Sequence, residues 1–277
     1  KDLGYAHVHS DYDKMGNEIT VSYEAYMSYE DYASYMSYED YIPDEEYNDT
    51  KGYPVARKEG GYASVAKSYD KRGNCVERRY LDLYGDLKLR DDEGYAVVKM
   101  EYDDYGQIIA ESYYGIYEQP VFNTEYHYAG KEFEYDERGN RISTRYIGLD
   151  GAQMEQKDWG YAQKYSEYDD AGKEIKISYL NTEGEPGRWK TGGYGYCECT
   201  YEDGKAVEWR YYNTNGDLML RWDEGYAIIQ YEYDEFGQRI KESFYGIDGE
   251  PIISAKYHCA GMKYAFDEKG QQTDIWY

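Results

Sequence analysis

The sequence predicts an all-β protein, an elongated repetitive array of antiparallel β-hairpins with about 33 residues per unit. Three observations carry this expectation. A Tyr-Asp pair recurs at Tyr69-Asp70, Tyr102-Asp103, Tyr135-Asp136, Tyr168-Asp169 and Tyr233-Asp234, with Tyr201-Glu202 and Phe266-Asp267 in the remaining slots. A glycine stands three residues past the acid at Gly73, Gly106, Gly139, Gly172, Gly237 and Gly270. The segments on either side alternate with period two, as half-buried strands do. A fixed period of this length is the signature of stacked supersecondary units.

The unit is clearest from Tyr95 onward. Ala96, Val98, Met100 and Tyr102 share one side of a first strand, and Ile109 and Tyr113 share a side of the second. Ile, Val and Tyr favour strands because branched and aromatic side chains pack well on a pleated surface. The Asp-x-x-Gly between the runs is a turn. Asp can bond backbone N–H groups ahead of it, and Gly tolerates a left-handed conformation. A second turn follows at Gly148-Leu-Asp-Gly151 and its equivalents, and a short third strand such as Pro251 to Ser254 is expected to lead to the next unit.

Longer periods overlie this one. Asp91 to Ala96 matches Trp222 to Ala227, and Tyr126 to Gly130 matches Tyr257 to Gly261, both at an offset of 131. Two four-unit blocks are therefore expected, at 1–147 and 148–277. One segment departs from the spacing. Tyr12-Asp13 lies 57 residues before Tyr69-Asp70, an excess of 24, assigned to an acidic insertion at about 24–47. Tyrosine falls there at every third position: Tyr26, Tyr29, Tyr32, Tyr35, Tyr38 and Tyr41. That spacing fits neither strand alternation nor one helical face, so a protruding loop or short helix is expected.

Composition narrows the functional classes. The 277 residues include 41 tyrosines, and 56 acidic against 31 basic residues give a formal charge of −25. This balance disfavours nucleic-acid backbones and anionic membrane surfaces as partners. No run approaches the ~20 apolar residues of a membrane span. Lys1 falls partway into a repeat, so the sequence is expected to be a piece of a longer chain. The four cysteines, Cys75, Cys197, Cys199 and Cys259, occupy non-equivalent repeat positions, which argues against a disulfide framework or a repeated metal site.

The Tyr-Asp-x-x-Gly-Asn/Gln motif followed by a β run resembles the YD repeats of RHS-type proteins. The resemblance covers nearly every unit. It implies hairpin strips that curl into shells or act as extracellular spacers, hence a secreted or cell-surface setting. A looser likeness is to the aromatic hairpin repeats of bacterial cell-wall- and choline-binding modules.

Candidate chemistry is sparse. His7 and His9 would share a strand face and are weak metal candidates. The acidic turns could offer oxygens to calcium, but a lone Asp-x-x-Gly supplies too few. No nucleophile elbow, phosphate loop or HExxH is present, so no enzyme and no cofactor are expected. The tyrosines are the better clue. Tyr69, Tyr102, Tyr135, Tyr168, Tyr201, Tyr233 and Phe266 are read as a structural ladder, and Tyr26, Tyr29, Tyr32, Tyr35, Tyr38 and Tyr41 as candidate ligand contacts. The expected function is a non-catalytic binding, adhesion or spacer module for a glycan, cell-wall polymer or surface protein. The alternative is a structural subunit of a self-associating filament, or a strip of a larger RHS-like shell.

Overall fold

The computed structural model describes residues 7–25, 53–54, 56 and 60–277. These residues form seventeen strands and no helix. The first hairpin joins β1 (His7–Tyr12) to β2 (Glu18–Ala25), and a two-residue β3 (Tyr53–Pro54) pairs with the end of β2. Then follow β4 (Ser64–Tyr69) with β5 (Cys75–Leu81), β6 (Val97–Tyr102) with β7 (Ile108–Tyr114), and β8 (Gly130–Tyr135) with β9 (Arg141–Ile147). The series continues through β10 (Gln163–Tyr168) with β11 (Glu174–Leu180), and β12 (Tyr196–Glu202) with β13 (Lys205–Tyr212). It closes with β14 (Ile228–Tyr233) and β15 (Arg239–Tyr245), then β16 (Gly261–Phe266) and β17 (Gln272–Trp276). The expected array of antiparallel hairpins is thus the observed architecture.

The chain divides into two compact units, Lys1–Lys131 with Gly148–Gly151, and Glu132–Ile147 with Ala152–Tyr277. In the first, β2 pairs with β4, and β5 with β6. In the second, β9 pairs with β10, β11 with β12, β13 with β14 and β15 with β16. Pairing is long inside a hairpin and short between hairpins. β6 and β7 run together from Val97↔Tyr114 to Tyr102↔Ile108, whereas β5 meets β6 only at Glu77↔Lys99, Arg78↔Val98 and Arg79↔Val97. So few ladder bonds leave the seams between hairpins to be closed by side chains.

The motif's turn chemistry is explicit. At Asp70 the Gly73 N–H donates to the Asp70 carbonyl at 3.2 Å, with Gly73 at φ +88°. Asp70 Oδ1 accepts from the N–H groups of Arg72 and Asn74 at 2.8 and 2.9 Å, and Asn74 Nδ2 donates to Oδ2 at 2.9 Å. The 32-residue step from Tyr201 to Tyr233 has a local cause. Between Tyr201 and Tyr233 the turn shrinks to Asp203-Gly204, closed by the pair Glu202↔Lys205. Both turn residues have positive φ, +49° and +76°, the signature of a two-residue type I′ hairpin.

The third strand is shorter than expected. It is reduced to single bridges such as Tyr114↔Pro120, Leu180↔Pro186 and Tyr245↔Pro251. A further tight turn follows each bridge. Its left-handed position holds Gly94, Gly160, Gly193 and Gly225, but His127 and His258, both at φ +56°, in the remaining copies. A non-glycine residue there carries a conformational cost of ~1–2 kcal/mol. His258 is exposed, so His258→Gly is expected to hold or raise stability by up to ~1 kcal/mol in chemical denaturation. A clear loss would contradict that account of the turn. The excess of 24 residues enters between β2 and β3, where the other units place their second turn.

Candidate functional site

Tyrosine fills two recurrent positions at the seams and builds a continuous aromatic spine in each unit. One position precedes the first strand (Tyr62, Tyr95, Tyr128, Tyr161, Tyr194, Tyr226), and all six are buried. The other ends the second strand (Tyr80, Tyr113, Tyr146, Tyr179, Tyr211, Phe244), and these are buried too. In the first unit the rings run Tyr62–Tyr80–Tyr95–Tyr113–Tyr128, with centroids 4.8, 5.9, 4.7 and 6.0 Å apart. In the second unit Tyr161, Tyr179, Tyr194, Tyr211, Tyr226 and Phe244 follow at 4.5, 5.7, 4.9, 6.1 and 4.9 Å. These spacings fall within the favourable range for aromatic pairs, each worth ~0.5–1.5 kcal/mol beyond area burial. Fully buried Ala96, Ala162 and Ala227 sit beside the rings and leave room for them.

The tyrosines of the Tyr-Asp pairs do something different. Tyr69, Tyr102, Tyr168, Tyr201 and Tyr233 are half-buried, and their hydroxyls reach back to a backbone carbonyl of the preceding hairpin. Tyr102 donates to Cys75 O at 2.9 Å, Tyr168 to Arg141 O at 2.9 Å, Tyr201 to Glu174 O at 3.1 Å and Tyr233 to Ala206 O at 2.8 Å. Each acceptor lies 27 residues upstream. Tyr69 reaches Glu18 O at 2.7 Å across 51 residues, the same 27 plus the 24-residue excess. Phe266 keeps the ring and lacks the hydroxyl. Tyr233→Phe therefore isolates this bond and is expected to cost ~1 kcal/mol in urea or guanidinium unfolding. Unchanged stability would show the bond to be dispensable.

Two arginines bracket the spine at the 131-residue offset. Arg90 Nε and Nη2 grip the Asp92 carboxylate at 2.9 and 2.7 Å, while Nη1 donates to the Tyr80 hydroxyl at 3.1 Å. Arg221 does the same with Asp223 at 3.0 and 2.7 Å and the Tyr211 hydroxyl at 3.2 Å. Its guanidinium also lies 4.8 Å from the Tyr211 ring centroid and 3.3 Å from the Glu224 carboxylate. Burial opposes the charge on Arg221, but the hydrogen-bonded Asp223 together with Tyr211, Tyr226 and Glu224 more than offsets it, so the group is held above its ordinary range. Tyr226 donates to Glu224, and Lys256 Nζ reaches the same carboxylate at 2.7 Å. Elsewhere the bracket position holds Asn123, Gln156, Trp189 or Ser254. Asn123 Oδ1 instead accepts from the N–H groups of Glu125 and Tyr126, and Gln156 Oε1 from those of Asp158 and Trp159.

Burial pushes Tyr128 and Tyr231 up to about 12 and lifts Tyr95, Tyr113, Tyr179 and Tyr226 well beyond the ordinary range. Burial also raises the Cys197 thiol to about 12, which keeps it protonated and a poor nucleophile.

Of the residues singled out in the sequence, Tyr26, Tyr29, Tyr32, Tyr35, Tyr38 and Tyr41 lie outside the described residues, as does the His7 side chain. His9 is exposed, with Nε2 3.3 Å from Asp11 Oδ1. Among the described residues no group of three or more His, Cys, Asp or Glu side chains is placed to hold a metal ion. The spine and the arginine brackets were not singled out in the sequence. The Tyr-Ala dipeptides and the shared 131-residue offset of Arg90 and Arg221 are the signals that point to them.

No protein-family model matches the chain, and no curated protein matches it. Solved structures resemble it at low identity. A crystal structure of TcdB2-TccC3 without its hypervariable C-terminal region is 12% identical, with a TM-score of 0.42, over 96% of this chain and 12% of that one. One of TcdB2-TccC3-Cdc42 is 11% identical, with a TM-score of 0.39, over 93% and 12%. A Tc holotoxin pore from Photorhabdus luminescens is 12% identical, with a TM-score of 0.35, over 94% and 13%. The chain thus spans about an eighth of the length of these structures. At these TM-scores the likeness assigns no family, and the functional reading rests on the chain's own geometry.

Proposed function

We propose that the chain is a non-catalytic structural strip, a wall or spacer segment of an RHS-like extracellular protein. The observation that carries this reading is the use to which the tyrosines are put. At the seams a hydroxyl reaches a carbonyl 27 residues upstream, and rings of neighbouring hairpins meet there at tilted or edge-on angles. Aromatic groups that would serve a ligand are thereby committed to holding hairpin against hairpin. The extracellular setting follows from the motif resemblance alone.

A binding module for a glycan, cell-wall polymer or surface protein is the competing reading, and segment 24–47 is where it would reside. A glycan array and a cell-wall pull-down of the whole chain distinguish the two. A structural strip is expected to show no saturable retention beyond that of an acidic control protein. Saturable retention that disappears when 24–47 is deleted would overturn the proposal in favour of a recognition module. Light scattering adds a separate check on self-association into polymers.

A further inference from the structure

One pair of tyrosines has no role in the spine. Tyr196 and Tyr212 face each other directly across β12 and β13. Their rings are stacked, with centroids 4.6 Å apart and planes only 10° from parallel. The equivalent cross-strand pairs are Ser64↔Leu81, Val97↔Tyr114, Gln163↔Leu180 and Ile228↔Tyr245. The repeat therefore does not require tyrosine on both sides, and this hairpin alone among these supplies it. Both residues are half-buried rather than sealed. The similarly stacked Tyr95–Tyr113 pair, at 4.7 Å, is closed off from solvent. Glu198 lies on the same strand as Tyr196 and near the Tyr212 hydroxyl, so a proton acceptor is at hand.

We propose that Tyr196 and Tyr212 form an oxidative cross-linking site, at which a peroxide-driven one-electron oxidant joins the two rings as dityrosine. Each phenol loses one electron and its hydroxyl proton, giving two phenoxyl radicals. The radicals combine through a carbon–carbon bond between ring positions ortho to the oxygens. The new bond forms along the axis perpendicular to the ring planes, which is the direction in which stacked rings face each other. Both rings then regain aromaticity as the ortho hydrogens leave and the oxygens recover protons. The net change is the loss of two hydrogens from the protein, while one hydrogen peroxide is reduced to two waters. The product staples β12 to β13.

Brief treatment of the whole chain with a haem peroxidase and hydrogen peroxide tests this. The expected result is dityrosine fluorescence in the monomer, a mass lower by two hydrogens, and one linked peptide pair carrying Tyr196 and Tyr212. Tyr212→Phe preserves the stacked ring but cannot form its phenoxyl radical. The monomer product should be lost in this variant, with circular dichroism unchanged. Tyr105→Phe, which removes a hydroxyl from a 91% exposed residue elsewhere, should leave the product intact. Formation of the monomer product in Tyr212→Phe at the wild-type rate would overturn the proposal. Linkage confined to other tyrosines or to contacts between molecules would do the same.

Discussion

Arg221→Ala is expected to lower stability by about 3–5 kcal/mol, the range for removing one partner of a buried ion pair. The Arg221 side chain is 12% exposed and holds Asp223 in a two-pronged grip while reaching Glu224, itself 11% exposed at the side chain. Truncation leaves those carboxylates in a poorly solvated seam, with Lys256 and the Tyr226 hydroxyl still in contact with Glu224. It also removes the cation from the Tyr211 face and the donor from the Tyr211 hydroxyl. Arg221→Lys should fall between the two, because an ammonium keeps the charge but not the planar fork. Denaturant unfolding followed by circular dichroism gives the comparison. A loss below ~1 kcal/mol in the alanine variant would show the bracket to be peripheral.

Alkaline titration is expected to separate folded and unfolded behaviour over a narrow window. A phenol whose folded pKa exceeds its unfolded value favours the folded state while it stays protonated. That contribution is complete below the ordinary tyrosine value of about 10 and is lost as pH rises through the folded value. Burial raises Tyr128, Tyr201, Tyr231 and Tyr264 to about 12 and the deepest spine tyrosines further. Phenolate absorbance should therefore rise in two phases. The later phase should coincide with loss of the far-ultraviolet β signal as pH approaches 12. A single phase near 10 with the β signal intact would contradict the buried spine.

The sequence made the hairpin legible because turn chemistry is local. Asp70, Gly73 and Asn74 meet within one turn, and their spacing alone predicts the bonds they make. The spine was less legible because it depends on which rings of successive hairpins meet. Tyr80 and Tyr95 lie 15 residues apart and touch only once β5 and β6 have paired. Counting tyrosines drew attention to Tyr102 and its equivalents, which turn out to act mainly through their hydroxyls. The arginine brackets were obscured for another reason. One backbone position carries Arg90, Asn123, Gln156, Trp189, Arg221 and Ser254 in turn, so a repeat average shows nothing there. Likewise the 32-residue step became intelligible only with the two-residue turn at Asp203-Gly204 in view.

The central claim is that the tyrosines are committed to joining hairpins and not to holding a ligand. Residue-resolved nitration with tetranitromethane at neutral pH, mapped by mass spectrometry, tests it most directly. Tyr105 and Tyr117, 91% and 84% exposed, should react first. Tyr113, Tyr179 and Tyr211 should react only at the rate of unfolding, as each is buried against rings on both sides. Spine tyrosines that nitrate as fast as Tyr105 in the folded chain would contradict the account.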